Sequence, residues 1–162
     1  MIAEGAFIIG DVEIGKDSSI WFNTVVRGDV NYIRIGERTN IQDLTMVHVT
    51  YKKFPAFIGN DVSIGHSAVI HGCKIKDNVV IGMGAKILDD ATVNSLSIVA
   101  AGSVVKERFV VPDGTLAAGV PAKVMRDLKP DEIEKIKQND KNYLFYIEQY
   151  KKFNRDLGFQ KH

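Results

Sequence analysis

The sequence predicts an all-β solenoid, a parallel β-helix of hexapeptide repeats that ends in an α-helical tail. Three observations predict it. Aliphatic residues recur at about every sixth position: Ile14, Ile20 and Val26, then Ile35, Ile41 and Val47, then Ile58, Ile64 and Ile70, then Ile75, Ile81, Ile87 and Val93. A small or polar residue usually follows, as in Ile14-Gly15, Ile35-Gly36, Ile58-Gly59, Ile64-Gly65 and Ile81-Gly82. Three such hexads make one triangular coil of roughly eighteen residues, the unit of a β-helix.

The hexads run from about Phe7 to about Val105, with a less regular stretch to Met125, so 1–126 is expected to form the β-helix. Valine and isoleucine suit the inward positions because they are stiff and fill a pleated surface. Glycine and asparagine suit corners that need tight or left-handed backbone. A solenoid leaves an open ladder at each end, and the segment 127–162 is a candidate cover, packed on the β-helix or on a neighbouring chain. Pro130 fits a first helical position, and Asp131 and Glu132 suit the positive end of a helix dipole. Ile133, Ile136, Tyr143, Ile147 and Tyr150 keep a helical period, and Gly158 is the expected stop. The polar run 138–142 is expected to divide this tail into two helices. The aromatic stripe of Tyr143, Phe145, Tyr146 and Tyr150 is expected to pack rather than to stack on bases.

Composition narrows the function. The chain has 162 residues and a net charge of +1, with no basic tract, which argues against nucleic-acid or membrane-surface binding. Cys73 is the only cysteine, so there is neither a disulfide framework nor a cysteine zinc site, and a small buried thiol in a reducing compartment is expected. The chain opens into the repeat without a basic region followed by a long apolar stretch, and no run is long enough to span a bilayer. A soluble, cytoplasmic protein is expected.

The repeat turns histidine spacing into geometry. His48 follows the inward Val47, and His71 follows the inward Ile70, each one place past a third hexad. Equivalent positions here are separated by 23 residues (35 to 58, 41 to 64, 47 to 70), one coil plus a five-residue insertion within 51–56. His48 and His71 should therefore stack on one face at the strand spacing of about 4.8 Å. His66 lies two places after Ile64, in a second hexad, and belongs to another face or corner. Within one chain it should point away from the other two. Across a three-fold interface it could complete a three-histidine site with an open fourth position, the arrangement of a catalytic zinc.

The same arithmetic stacks Arg27 one coil below His48 and Asp43 one coil below His66. If one chain's His48 face meets its neighbour's His66, Arg27 meets that neighbour's Asp43 as an ion pair. Phe22 and Met83 flank the Asp43–His66 column, and Leu88 lies beyond His71, so polar groups are bracketed by apolar ones.

With these residues in view, the chain resembles the γ-class carbonic anhydrases and their relatives. The resemblance is carried by the hexad coils, by Val26-Arg27-Gly28-Asp29, Asn40-Ile41-Gln42-Asp43, Gly65-His66 and Ile70-His71-Gly72-Cys73, and by the helical tail. It implies a left-handed β-helix in a homotrimer with one metal at each interface. It also implies ligation by His48 and His71 of one chain and His66 of its neighbour, with Arg27 and Asp43 as the interface ion pair. Gln42 would bond the metal-bound solvent, with Asn40 and Asp29 in support. The implied reaction is zinc-hydroxide hydration of CO2 to bicarbonate. Zinc is the default for such a ligand set, and Fe2+ or Co2+ also suits imidazoles.

The chain departs from the best-known enzymes of that family. They carry a glutamate just after the Arg-x-Asp string and an acidic loop after the first histidine, where this chain has Val30 and Lys52-Lys53. With no carboxylate placed as a proton shuttle, turnover is expected to be slow, buffer-dependent or absent. Two competing functions remain. One is a hexapeptide acyltransferase, which Ala118-Gly119-Val120-Pro121-Ala122-Lys123 resembles at its closing string, though a chain exit from the last coil explains the same residues. The other is a non-catalytic metal-binding or assembly subunit. Ile81-Gly82-Met83-Gly84 is another hexad and not a phosphate loop, since no helix is expected to follow it.

Overall fold

The computed structural model describes residues 1–156, with the side chains of 139–144, 151 and 153–156 excepted. The chain climbs about six turns of a left-handed parallel β-helix. Its inward residues form three vertical rows. The first face carries Ile20, Ile41, Ile64, Ile81, Val99 and Ala117 in register. The second carries Ile8, Val26, Val47, Ile70, Ile87 and Val105. The third carries Ile14, Ile35, Ile58, Ile75, Val93 and Val111. The second and third faces belong to one sheet because the strand Val25–Ile35 turns the corner between them without a break.

From Ile20 onward every residue in these rows is buried, while Ile8 and Ile14 in the first coil are only partly covered. Full burial of a valine or isoleucine side chain contributes about 1.5–3 kcal/mol. No coil can bury its own row alone, so this contribution exists only when neighbours stack. The repeat also runs further than its sequence signal. Val111 and Ala117 continue the rows at 0% exposure, but alanine replaces a branched residue and weakens the pattern. There the strand Thr115–Gly119 turns back and pairs antiparallel with Ala122–Asp127, which forms the outer edge of the first face.

The corners show two separate uses of glycine. Gly84 has a φ of +67° with open space where a Cβ would be, so its lack of a side chain serves backbone conformation. Gly82 has no positive φ, yet a Cβ there would stand 2.4 Å from the Ala101 nitrogen one coil above. Of the tight and left-handed roles expected of corner glycines, the glycine after an inward isoleucine takes the tight one, as a close-approach residue. Asp17, Asn23, Arg38, Leu44, Asp61 and Asn78 take up the left-handed conformation instead, with φ of 52–61°. Buried hydroxyls tie coil to coil: Ser18 and Thr39 donate to the carbonyls of Gly36 and Gly59, each at 2.7 Å.

Among the described residues one helix, α1 (Pro130–Asp156), follows. The run 138–142 does not divide it, because it contains neither proline nor glycine to interrupt the backbone ladder. The expected stop at Gly158 lies outside the described residues, as does the side chain of Tyr143. The Glu132 carboxylate caps the start, accepting from the Lys129 N–H at 2.8 Å in the manner of a capping box. Arg126 grips both its oxygens at 2.7 and 2.8 Å and, as the main cause, holds its pKa down at about 2. The helix runs back along the first face, from Ile136 beside Val80 and Ile98 to Tyr150, whose ring packs edge-on against Trp21 and Phe22. No described helix is long and apolar enough to cross a membrane.

Two predictions follow from the packing. Gly82→Ala should destabilise by about 1–3 kcal/mol, the range for overpacking against backbone that must shift. Gly84→Ala should cost only about 1–2 kcal/mol of backbone strain, and denaturant unfolding of both variants compares the two. Cys73 is 1% exposed, and burial pushes its thiol up to about 12. It should resist a thiol reagent at pH 8 in the folded protein and react fully in denaturant, whereas prompt labelling of the native protein would contradict this burial.

Candidate metal centre

The strands Met46–His48 and Val69–His71 are parallel neighbours, and His48 and His71 are paired residues in that ladder. The five extra residues do not disturb the register because they leave the coil as a turn, where Thr50 and Phe54 form an antiparallel bridge. Val47 and Ile70 point inward, so both histidines point out. Their rings meet with His48 Nδ1 3.2 Å from His71 Nε2. Two imidazole nitrogens on one tetrahedral zinc stand about 3.3 Å apart, given Zn–N bonds of about 2.0–2.1 Å. The pair fits a shared cation.

The outer nitrogen of each ring meets a carboxylate. His48 Nε2 lies 3.1 Å from Asp29 Oδ1, and His71 Nδ1 lies 2.6 Å from Asp89 Oδ1. A carboxylate accepts only, so each imidazole donates outward, and a neutral ring held this way turns its unprotonated nitrogen to its partner. Metal-ligating histidines are typically held this way. Asp29 is tied in turn by Arg27, stacked one coil below His48, and this hydrogen bond is the main cause of a lowered Asp29 pKa.

His66 stands at the corner leading into the second face, and His48 and His71 at the corner leading out of it. Its Nδ1 lies 2.8 Å from Asp43 Oδ2 within the same chain, which leaves Nε2 facing outward on a half-exposed ring. Beside it, the Gln42 side chain donates to Asn40 Oδ1 at 3.1 Å, and buried Asn40 donates to Ser63 Oγ at 2.7 Å. This chain of amides fixes Gln42 on the first face.

The structure thus gathers the expected residues into two groups, Arg27, Asp29, His48 and His71 on one side and Asn40, Gln42, Asp43 and His66 on the other. Among the described residues of one chain, no three His, Cys, Asp or Glu side chains converge on a metal position. Within the chain, Arg27 engages Asp29 and Asp43 engages His66. Sequence reasoning missed Asp89 and Thr50. The hexad arithmetic contained the signal for Asp89: Ile87 stacks on Ile70, so Leu88 lies over His71 and Asp89 over Gly72. A recess of about 420 Å³ on the third face, lined in part by Arg34, Phe57 and Lys76, touches none of the histidines.

The fold is that of a hexapeptide-repeat protein, with outward-facing histidines at two of its corners. The family model described as bacterial transferase hexapeptide (six repeats) matches residues 55–88 and 72–107. The chain is 51% identical over 148 residues to gamma carbonic anhydrase 2, mitochondrial, of Arabidopsis thaliana, covering 88% of this chain and 53% of that protein. It is 47% identical over 143 residues to a Methanocaldococcus jannaschii protein named "Probable carbonic anhydrase", covering 88% of this chain and 89% of that one. A solved Bacillus cereus structure, named provisionally as an acetyltransferase, superposes with a TM-score of 0.90 at 40% identity, covering 94% of this chain and 88% of that one. The chain belongs to the γ-class carbonic anhydrase family of hexapeptide-repeat proteins. It spans about half the length of the plant relative.

The Arg27–Asp29 pair has a pH signature. A carboxyl whose pKa is depressed on folding stabilises the fold above its unfolded value, near 3.8 here, and that contribution disappears as pH falls through the lower folded value. Carbon-detected NMR should find Asp29 titrating below 3.8, and Arg27→Ala should move it upward; an unmoved midpoint would contradict the pairing.

Proposed function

We propose that this chain is a γ-carbonic-anhydrase-type metalloprotein, a homotrimer whose metal is shared across each interface by His48 and His71 of one subunit and His66 of the next. The observation that carries this reading is the His48–His71 nitrogen pair at 3.2 Å, each ring backed by a carboxylate. His66 has the same construction, with Asp43 behind it and Nε2 outward. Three imidazoles leave a zinc ion's charge uncompensated, and when bound it would supply the Lewis acidity that brings a coordinated water to a pKa of about 7. Fe2+ and Co2+ suit the same ligands.

The reaction we assign is hydration of CO2 to bicarbonate. Gln42, held through Asn40 to Ser63, is placed to hydrogen-bond a substrate oxygen without reorganising. Phe22 and Met83 would give the neighbouring wall an apolar character suited to CO2, and Arg27 would meet the adjoining subunit's Asp43 as well as its own Asp29. Neither Val30 nor Lys52 and Lys53 offers a carboxylate to carry the proton away, so buffer has to do so. An acyltransferase reading leaves the paired histidines without a role, and coenzyme A is expected not to raise the unfolding temperature. The reduced, buried Cys73 suits a cytoplasmic setting.

Stopped-flow CO2 hydration by zinc-loaded protein should rise with buffer concentration and fall at least tenfold in His66→Ala. Subunit mixing tests the shared site. Co-refolding His66→Ala with the double variant His48→Ala/His71→Ala in equal amounts should restore about a quarter of the wild-type sites, by random assortment around a closed ring. No rate above His66→Ala with metal bound would defeat the enzyme reading, and no recovery on mixing would defeat the interfacial site.

A further inference from the structure

The five-residue insertion and the glycine after His71 have no part in the function proposed above, yet both act on His71. Thr50, at the base of the insertion, donates its hydroxyl to Asp89 Oδ2 at 2.6 Å, across 39 positions of sequence. The other oxygen of Asp89 meets His71 Nδ1 at 2.6 Å. Both carboxylate oxygens are therefore engaged, and the group cannot turn away from the imidazole without giving up a bond. Gly72 makes room for this. A Cβ at Gly72 would stand 2.5 Å from Asp89 Oδ1 and 2.9 Å from Phe54 Cβ, so any side chain there would displace the carboxylate, the insertion or both. The backbone closes the arrangement, since Gly72 N–H donates to the His48 carbonyl at 3.0 Å, Asp90 N–H to the Gly72 carbonyl at 2.8 Å, and Thr50 N–H to the Phe54 carbonyl at 3.0 Å.

We infer that Asp89 is a positioning residue, held by Thr50 and admitted by Gly72, that fixes His71 as the Nδ1–H tautomer with Nε2 bare and aimed at His48. The inference rests on the metal-site reading for its purpose, but not for its geometry. A neutral imidazole carries its proton on one nitrogen only, and an acceptor held at Nδ1 decides which. The bare Nε2 is then a ready ligand, so the ring does not have to change tautomer before it can bind. The insertion acquires a function in this arrangement, because it is the element that brings Thr50 to Asp89.

The test has one readout that needs no metal. Long-range 1H–15N correlation on the metal-free protein at pH 8 should show His71 as the Nδ1–H tautomer. Asp89→Ala should convert it to a mixture or to Nε2–H, and exposed Asp90→Asn should leave it unchanged. The second readout is zinc affinity by chelator competition, expected to fall about 10- to 100-fold in Asp89→Ala, the usual effect of removing such a partner. Thr50→Val should weaken zinc several-fold, while Thr50→Ser, which keeps the hydroxyl, should bind like the unmutated protein. This pair keeps the test decisive if Asp89→Ala does not fold. An unchanged His71 tautomer in Asp89→Ala, or zinc affinities of Thr50→Val and Thr50→Ser that coincide, would overturn the inference. Failure of the unmutated protein to bind zinc would count against the metal-site reading, and the tautomer would still decide the role of Asp89.

Discussion

Everything in this molecule depends on the parallel ladder that locks each coil to the next in register. Parallel pairing spaces equivalent residues by about 4.8 Å, and the aliphatic rows are buried only while that spacing holds. The close-approach glycines permit it at the corners, and the buried hydroxyls of Ser18 and Thr39 satisfy corner carbonyls that the ladder leaves over. Slipping one strand by a residue would turn its inward row to solvent. Register is therefore as strongly enforced here as burial itself.

Chemistry is placed on this frame by simple offsets. One position beyond an inward residue faces out, and the same offset in the coil above lands directly over it. His48 and His71 come together in this way, and the insertion between them is tolerated because it leaves the ladder rather than stretching it. The imidazoles of His48 and His71 are contacted on both sides, with carboxylates outside and each other inside. Such an arrangement meets the cost of preorganisation during folding, so little remains to be ordered when a ligand arrives.

The two histidine groups on one chain lie apart in a way that is chemically informative. Asp43 and His66 sit at one end of the second face, and His48 and His71 at the other, so a single subunit cannot bring them to one point. In the proposed closed ring of subunits that separation would become adjacency, each subunit offering one end to its neighbour. The proposed activity would then be a property of the assembly, and among the described residues the tail α1 lies along the first face through Ile136, Ile147 and Tyr150.

Most of the architecture was legible from the chain alone. A six-residue period in valine and isoleucine determines the solenoid, its rows and the stacking of His48 on His71, because a repeat with a constant rise converts spacing into position. It also located the insertion at 51–56, while Pro130, Asp131 and Glu132 marked the start of the helical tail. What the tertiary structure decided were contacts that bridge corners. Asp89 reaches His71 from the next coil and is itself held by Thr50, Glu132 is gripped by Arg126, and the glycine that follows an inward isoleucine proves to be a matter of space rather than of φ. The tail is one helix because a polar run without proline or glycine lowers helix propensity without breaking the ladder. These outcomes depend on side-chain reach and backbone clearance between coils, quantities that no linear period contains.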